Sequence, residues 1–416
     1  MVRSAVLLGL LLAHWLGVAG DEEVKSGETL AEECAVDDAG CIPPSSEPHP
    51  SDSVSLSSSS QKKQHTPPEA MSRSVQQTFA LGRGPWKTFD PFLFCVYHKD
   101  EYPAGTKSLG PEPKQLRGRD IGSDFSYKDG WSMYHGDVVP GFPEHPHRGF
   151  ETITVTRQGY VDHFDSLGAK GRYGVGDTQW MTAGEGVQHC EMFPLLNQDG
   201  PNLMELFQIW LNLPAKSKFV KADYKMLWAP DTPTITMPDG KSTIRVVAGN
   251  PEYFAKTHPD LKVPQPPAAS WASQPGSDVA VWEIKMPADA TVTLPPAMLS
   301  GVNRAFYFFD GKKVVIGDST LTPMNGAKVD STQEVTITVK DAPAQLLMLQ
   351  GKPIGEPVVQ HGPFVMNTQQ EIMQAFSDFQ RTRFGGWPFD RSDPTNGDST
   401  NRFAQYSDGR LEKPSA

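Results

Sequence analysis

From Trp86 to about Gln350 the chain is cut into short apolar runs that alternate with period two and stop at glycine or proline. In GFETITVTRQG, Ile153 and Val155 fall on one side and Thr152, Thr154 and Thr156 on the other, the pattern of a half-buried strand. GVGDTQWMTAGEGVQHCEMF reads as turn, strand, turn, strand, and LMELFQIWLNLP alternates to about Leu213, where Pro214 breaks it. A second block runs from about Ile244 to Gln350 and holds VAVWEIKM, RAFYFFDGKKVVIG and EVTITVKDAPAQLLMLQG. There Asp310-Gly311, between two apolar runs, is expected to turn a hairpin. Strands this short and numerous point to two β-barrels or sandwiches in tandem, and 37 glycines with 37 prolines suit such a turn-rich, all-β chain. One segment departs from the pattern. In NTQQEIMQAFSDFQRTRFGG, Asn367 or Thr368 is placed to cap a helix, Ile372, Met373, Phe376 and Phe379 recur at helical spacing, and Gly385-Gly386 end it.

A length of 416 residues suggests about two domains. Residues 1–20 have the layout of a secretory leader: Arg3, an apolar run from Ala5 to about Ala19, then small residues before Asp21-Glu22-Glu23. The run is shorter than the roughly 20 residues a bilayer span needs, so no membrane span is expected once the leader is removed. Residues 21–84 are dense in Ser and Pro and are expected to form an unstructured linker. Residues 85–225 and 226–385 form the two expected domains, and residues 386–416 a loose polar tail. The leader implies the secretory pathway or the extracellular space, whereas initiation at Met71 gives a cytoplasmic or nuclear product. Cys34 and Cys41 either close a small loop in an oxidising compartment or stay as thiols. A net charge of −11 argues against direct nucleic-acid binding.

The chemistry concentrates in two pairs. His145-Pro146-His147 is expected to be extended, because proline restricts its predecessor and suits a strand end or edge. Residues two apart then project to one side. In VQHCEMF, His189 and Glu191 repeat that spacing, with Cys190 turned the other way as a small core residue. Three imidazoles and a carboxylate suit Fe(II), Mn(II), Ni(II), Cu(II) or Zn(II) rather than Mg or Ca, and leave positions open for substrate or dioxygen. Gln179, Trp180 and Met181 read mainly as core, Glu185 as solvated, Arg148 as the partner of a carboxylate, and His163 and Asp165 as isolated and exposed. In the second block His258 and His361 show no paired-ligand pattern, and His361 reads as packing the C-terminal segment back onto the barrels.

FDPFLF, HPHRGFET, GDTQWMTAGEGVQHCEM and EPVVQHGPFVMNTQQEI resemble the signature blocks of the pirin family, a branch of the cupin superfamily, from about Trp86 to about Phe384. The resemblance implies two tandem cupin barrels and names His145, His147, His189 and Glu191 as ligands of one Fe(2+) per chain, in the N-terminal barrel. It also implies a quercetin 2,3-dioxygenase-like activity on a flavonol or related phenolic with O2, with Glu191 placed to take the substrate proton. The alternative it carries is a non-catalytic, iron-bound redox sensor that binds a transcription factor. The chain is expected to be a monomer. CVYHKDEY departs from the family's opening block, and the following insertion, within 103–140, is long enough to cover the mouth of the metal pocket.

Overall fold

The computed structural model describes residues 74–415. The expected leader, Cys34, Cys41 and Met71 lie outside the described residues. In chain order the first half contains β1 (Val75–Ala80), β2 (Phe92–Tyr102), β3 (Gly141–His147), β4 (Phe150–Gln158), β5 (Tyr160–Asp165), β6 (Lys170–Gly174), β7 (Thr178–Thr182), β8 (Val187–Met192), β9 (Asn202–Asn212) and β10 (Asp223–Leu227). The second half contains β11 (Thr234–Thr236), β12 (Thr243–Ala248), β13 (Ala280–Met286), β14 (Thr291–Leu294), β15 (Asn303–Asp310), β16 (Val314–Ile316), β17 (Ser319–Leu321), β18 (Asn325–Val329), β19 (Val335–Val339) and β20 (Ala344–Gly351). The hairpin of β21 (Val359–His361) and β22 (Phe364–Met366), the helix α1 (Gln369–Thr382), β23 (Phe403–Gln405) and β24 (Leu411–Glu412) complete the chain.

The fold is all-β, two barrels in tandem followed by a helix. The first barrel faces a five-stranded sheet, β10-β7-β4-β9-β2, with a six-stranded one, β24-β23-β6-β5-β8-β3. The second faces a seven-stranded sheet, β1-β18-β15-β20-β13-β12-β11, with a four-stranded one, β14-β19-β16-β17. Alternation decides which side chains fill each layer. Ile153, Val155, Trp180, Phe207 and Ile209 leave the first barrel to meet Val281, Ala305, Tyr307, Leu347 and Leu349 of the second. Full burial of an aliphatic side chain such as Ile153 contributes about 2 kcal/mol. β4 is central in its sheet and buried on both faces, not half-buried, because its isoleucine face meets the other barrel and its threonine face lines its own interior.

The two ends of the described chain cross over between the barrels. β1 lies inside the expected linker 21–84 yet pairs with β18, with Val75 packed in the second core. The first barrel extends past residue 225, since β10 pairs with β7 through Leu227. The 386–416 segment is not loose: β23 adds to β6, and the tail closes over a buried ion pair. Arg172 bonds Asp162 at 2.6 Å and donates to the carbonyls of Gly397 and Ser399, while Tyr406 stacks on Tyr224 at 4.9 Å. Backbone pairing and that buried pair offset the tail's scarcity of apolar residues.

Asp310-Gly311 does not turn a hairpin. β15 pairs with β18 and β20, whereas β16 sits in the opposite sheet. A two-residue type I′ turn needs positive φ at both central residues, and here Gly311 (φ 133) has it while Asp310 and Lys312 do not. α1 starts at Thr368, whose hydroxyl accepts from the Glu371 amide while the Glu371 carboxylate accepts from the Thr368 amide, a capping box. Ile372, Ala375 and Phe379 face inward against Phe364, Met366 and Phe384; Met373 is 60% exposed and lies off that face.

Candidate metal centre

β3 is the edge strand of its sheet and pairs antiparallel with β8, placing His145 directly opposite His189. Ring centroids lie 4.4 Å apart for His145–His189, 4.8 Å for His145–His147 and 5.0 Å for His147–His189. A candidate ligand nitrogen from each ring falls within 4.8 Å of the others. His147 and His189 are buried and His145 is partly exposed, so the cluster opens to solvent on the His145 side.

The surroundings prepare two of the rings. His145 Nδ1 lies 2.9 Å from the Pro143 carbonyl and His147 Nδ1 3.4 Å from that of Pro363. A carbonyl only accepts, so Nδ1 carries the proton in each and Nε2 keeps its lone pair. His189 is fully buried, and neither ring nitrogen has a hydrogen-bond partner among the described residues. Leaving such a group unpaired is costly, and a metal satisfies it. Burial pushes His145 down to about 4, and burial followed by the neighbouring imidazoles pushes His147 and His189 well below the usual range. All three are thereby held neutral, the form that ligates a metal. Three nitrogen donors with no thiolate suit a divalent transition metal with open positions.

Glu191 stands beside the cluster, its Oε2 4.0 Å from His189 Nε2. Its carboxylate accepts from Thr154 Oγ1 (2.9 Å), Tyr173 OH (3.3 Å) and Gln208 Nε2 (2.8 Å). Burial raises its pKa against the opposing pull of these hydrogen bonds.

His163 and Asp165 are not exposed; both are buried, and the His163 ring lies 5.6 Å from that of His189. β5 pairs with β8 so that His163 opposes Glu191 and Asp165 opposes His189. The alternation of YVDHFD carried this signal, since Val161, His163 and Asp165 share a face. Thr154, Tyr173 and Gln208, which hold the Glu191 carboxylate, also went unassigned, and Gln179, read mainly as core, lies opposite Thr154; the face of each strand is the signal that places them. Trp180 sits between the barrels and Met181 in the first barrel's core. Cys190 packs with Leu109, Val139, Phe164 and Met192. Glu185 is exposed.

The β21–β22 hairpin and α1 hold the end of β3 from outside. Arg148 donates to Asp378 on α1 at 2.9 Å and to the Glu185 carbonyl at 2.6 Å. A Cβ on Gly149 (φ +86) would sit 2.0 Å from the Val365 carbonyl oxygen, so β22 crosses here only against glycine. His361 is exposed, with its ring 5.4 Å from that of Phe376. The second barrel's interior is filled by Trp282, Ile284, Phe306, Phe308, Leu346 and Met348. The insertion packs around a buried Arg119–Asp124 pair and stacks Tyr134 on Phe142 at 5.1 Å, beside the start of β3.

Two tandem barrels with a three-imidazole cluster inside the first define a bicupin with a candidate metal site. Sequence models of the family match at residues 111–211 (Pirin) and 281–385 (Pirin C-terminal cupin domain). A pirin-like protein of Solanum lycopersicum is 37% identical over 260 residues, covering 61% of this chain and 78% of that one. One from Caulobacter vibrioides is 35% identical over 249 residues, covering 60% and 82%. The solved structure of quercetin 2,3-dioxygenase from Acinetobacter baumannii is 28% identical, covers 76% of this chain and 99% of that one, and superposes with a TM-score of 0.59. The chain belongs to the pirin family.

Proposed function

We propose that this protein is an Fe(II)-dependent dioxygenase that opens the ring of a flavonol or related phenolic, with one iron per chain held by His145, His147, His189 and Glu191. The observation that carries the reading is His189, a fully buried imidazole with both nitrogens unpaired among the described residues and two more imidazoles beside it. The likeness to the Acinetobacter enzyme supports the reaction class.

The bound metal supplies Lewis acidity, which lowers the pKa of a phenolic hydroxyl and favours its reaction with O2. The chain's residues do the rest. Burial raises the proton affinity of Glu191, which suits it to take the hydroxyl proton, and Thr154, Tyr173 and Gln208 fix where its oxygens stand. Val161, Met181, Leu206 and Met226 make the surrounding interior apolar and exclude water. The exposed side of His145 is the way in.

Elemental analysis and oxygen uptake test this together. Wild type is expected to carry about one equivalent of iron and to consume O2 with quercetin, and His147→Ala to do neither. Iron-loaded protein that leaves quercetin absorbance unchanged under air refutes the reaction.

A further inference from the structure

Two buried polar side chains inside the first barrel stand outside the metal's ligand set and end in atoms with no partner among the described residues: His163 at Nδ1, and Gln179 at both Oε1 and Nε2. His163 is 0% and Gln179 1% exposed. His163 lies directly opposite Glu191 on the neighbouring strand. Gln179 lies opposite Thr154, which in turn lies opposite Gln208. Directly opposed residues share a face, so His163 and Gln179 project from the two facing sheets into the interior that Glu191 occupies.

The hydrogen bonds around His163 fix what it offers. Its Nε2 lies 3.1 Å from Asp165 Oδ2, while Asp165 Oδ1 accepts from the Leu167 and Ala169 amides at 2.9 and 3.0 Å. A carboxylate held this way accepts, so Nε2 carries the imidazole proton and Nδ1 presents a lone pair. The unpaired atoms thus comprise an acceptor on one wall and an amide on the other, which supplies one donor and one acceptor. Leaving buried polar atoms unpaired is costly, and a matching ligand recovers that cost.

We propose that His163 and Gln179, from the two facing sheets, together form the polar wall of the substrate site, taking a hydroxyl donor that stands next to a second hydroxyl and is distinct from the one whose proton Glu191 takes, with Asp165 as the positioning residue that keeps His163 an acceptor. This rests on the reading of the first barrel as a catalytic cavity. The wall selects for a hydroxyl with an adjacent oxygen, because a lone acceptor in the ligand leaves His163 Nδ1 unpaired.

The test uses the full chain loaded with zinc, which is redox-inert, so quercetin binds without being consumed. Binding is read from quercetin absorbance and tryptophan quenching, and zinc stoichiometry is measured for each variant. His163→Phe and Gln179→Leu are each expected to raise the quercetin Kd about tenfold with zinc content unchanged. Asp165→Asn, which frees the imidazole to hold its proton on Nδ1, should shift Kd the same way. A flavonol lacking the catechol pair should bind wild type more weakly and lose nothing further in His163→Phe. Should His163→Phe fail to take up zinc, His163→Gln and Gln179→Leu decide by the same titration. Unchanged Kd in zinc-replete variants, or no quercetin binding by wild type, overturns the wall. Wild type that binds quercetin but does not consume it when iron-loaded refutes the proposed reaction and leaves the wall standing.

Discussion

His145 and His189 face each other across the β3–β8 pair with ring centroids 4.4 Å apart, and the buried member of the pair has no hydrogen bond at either nitrogen among the described residues. A bound metal should therefore stabilise the fold as well as serve chemistry. At a metal concentration 100 times Kd the gain is about 2.7 kcal/mol. Chelation is expected to lower the Tm of wild type by a few degrees and to leave that of His189→Ala unmoved. Superimposable melts of chelated and metal-loaded wild type would sink this expectation.

Arg148 directly follows His147, and its bond to Asp378 ties that strand to α1. The same segment supplies the Pro363 carbonyl that accepts from His147. Asp378→Ala should cost about 1–2 kcal/mol, because it strips the partner from a desolvated guanidinium at a partly screened site. Metal affinity should fall about tenfold, the scale of disturbed outer partners of a ligand. The Arg148 hydrogen bond holds the Asp378 carboxyl down at about 2. A depressed carboxylate contributes stability above its ordinary range and loses it as pH falls through about 2. The variant's acid unfolding should therefore lack that component. Metal titrations and acid melts check both halves, and equal metal affinity in the two proteins contradicts the clamp.

The clustering of His145, His147 and His189 was legible because period two survives wherever a strand keeps one face on an interior, as HPH and HCE do. YVDHFD obeyed the same rule, yet His163 read as exposed, since nothing local says that β5 lies beside β8. Asp310-Gly311 shows the converse: a strong local turn signal yields when barrel topology sends β15 and β16 to different sheets. The 386–416 segment was opaque for a third reason. Its strands, three and two residues long, persist because Arg172, Asp162 and Tyr224 were already there to receive them.

That dependence makes the tail testable. Truncation after Pro394 removes Gly397 and Ser399, whose carbonyls accept from Arg172, and Arg402, which pairs with Asp177 at 2.6 Å. It also bares Tyr224 and the edge of β6. Losing the outer partners of a buried guanidinium together with a strand should cost about 3 kcal/mol or more. Calorimetry should show the first barrel melting earlier, possessing less cooperativity with the second. A truncated chain with wild-type Tm would mean that the tail merely rests on the barrel.

Glu151 gives the protein a pH dependence at the face between the barrels. The residue is fully buried, and its carboxyl accepts from Thr182 Oγ1 at 2.7 Å and Ser270 Oγ at 2.6 Å. Burial pushes its pKa up from 4.5 to about 7, with those hydrogen bonds pulling the other way. The native state thus holds this proton more tightly than the unfolded chain. Its contribution is complete below the unfolded value of 4.5 and is lost as pH rises through about 7. In that window wild type should lose up to about 1.4 kcal/mol per pH unit through this group. Glu151→Gln keeps the shape and removes the titration, so the stability difference between the two proteins should shift toward the variant from pH 5 to pH 8. Asp100, also raised to about 7 by burial, titrates in both proteins and cancels from the difference. Parallel Tm-against-pH curves would show that Glu151 ionises in the native protein at no cost.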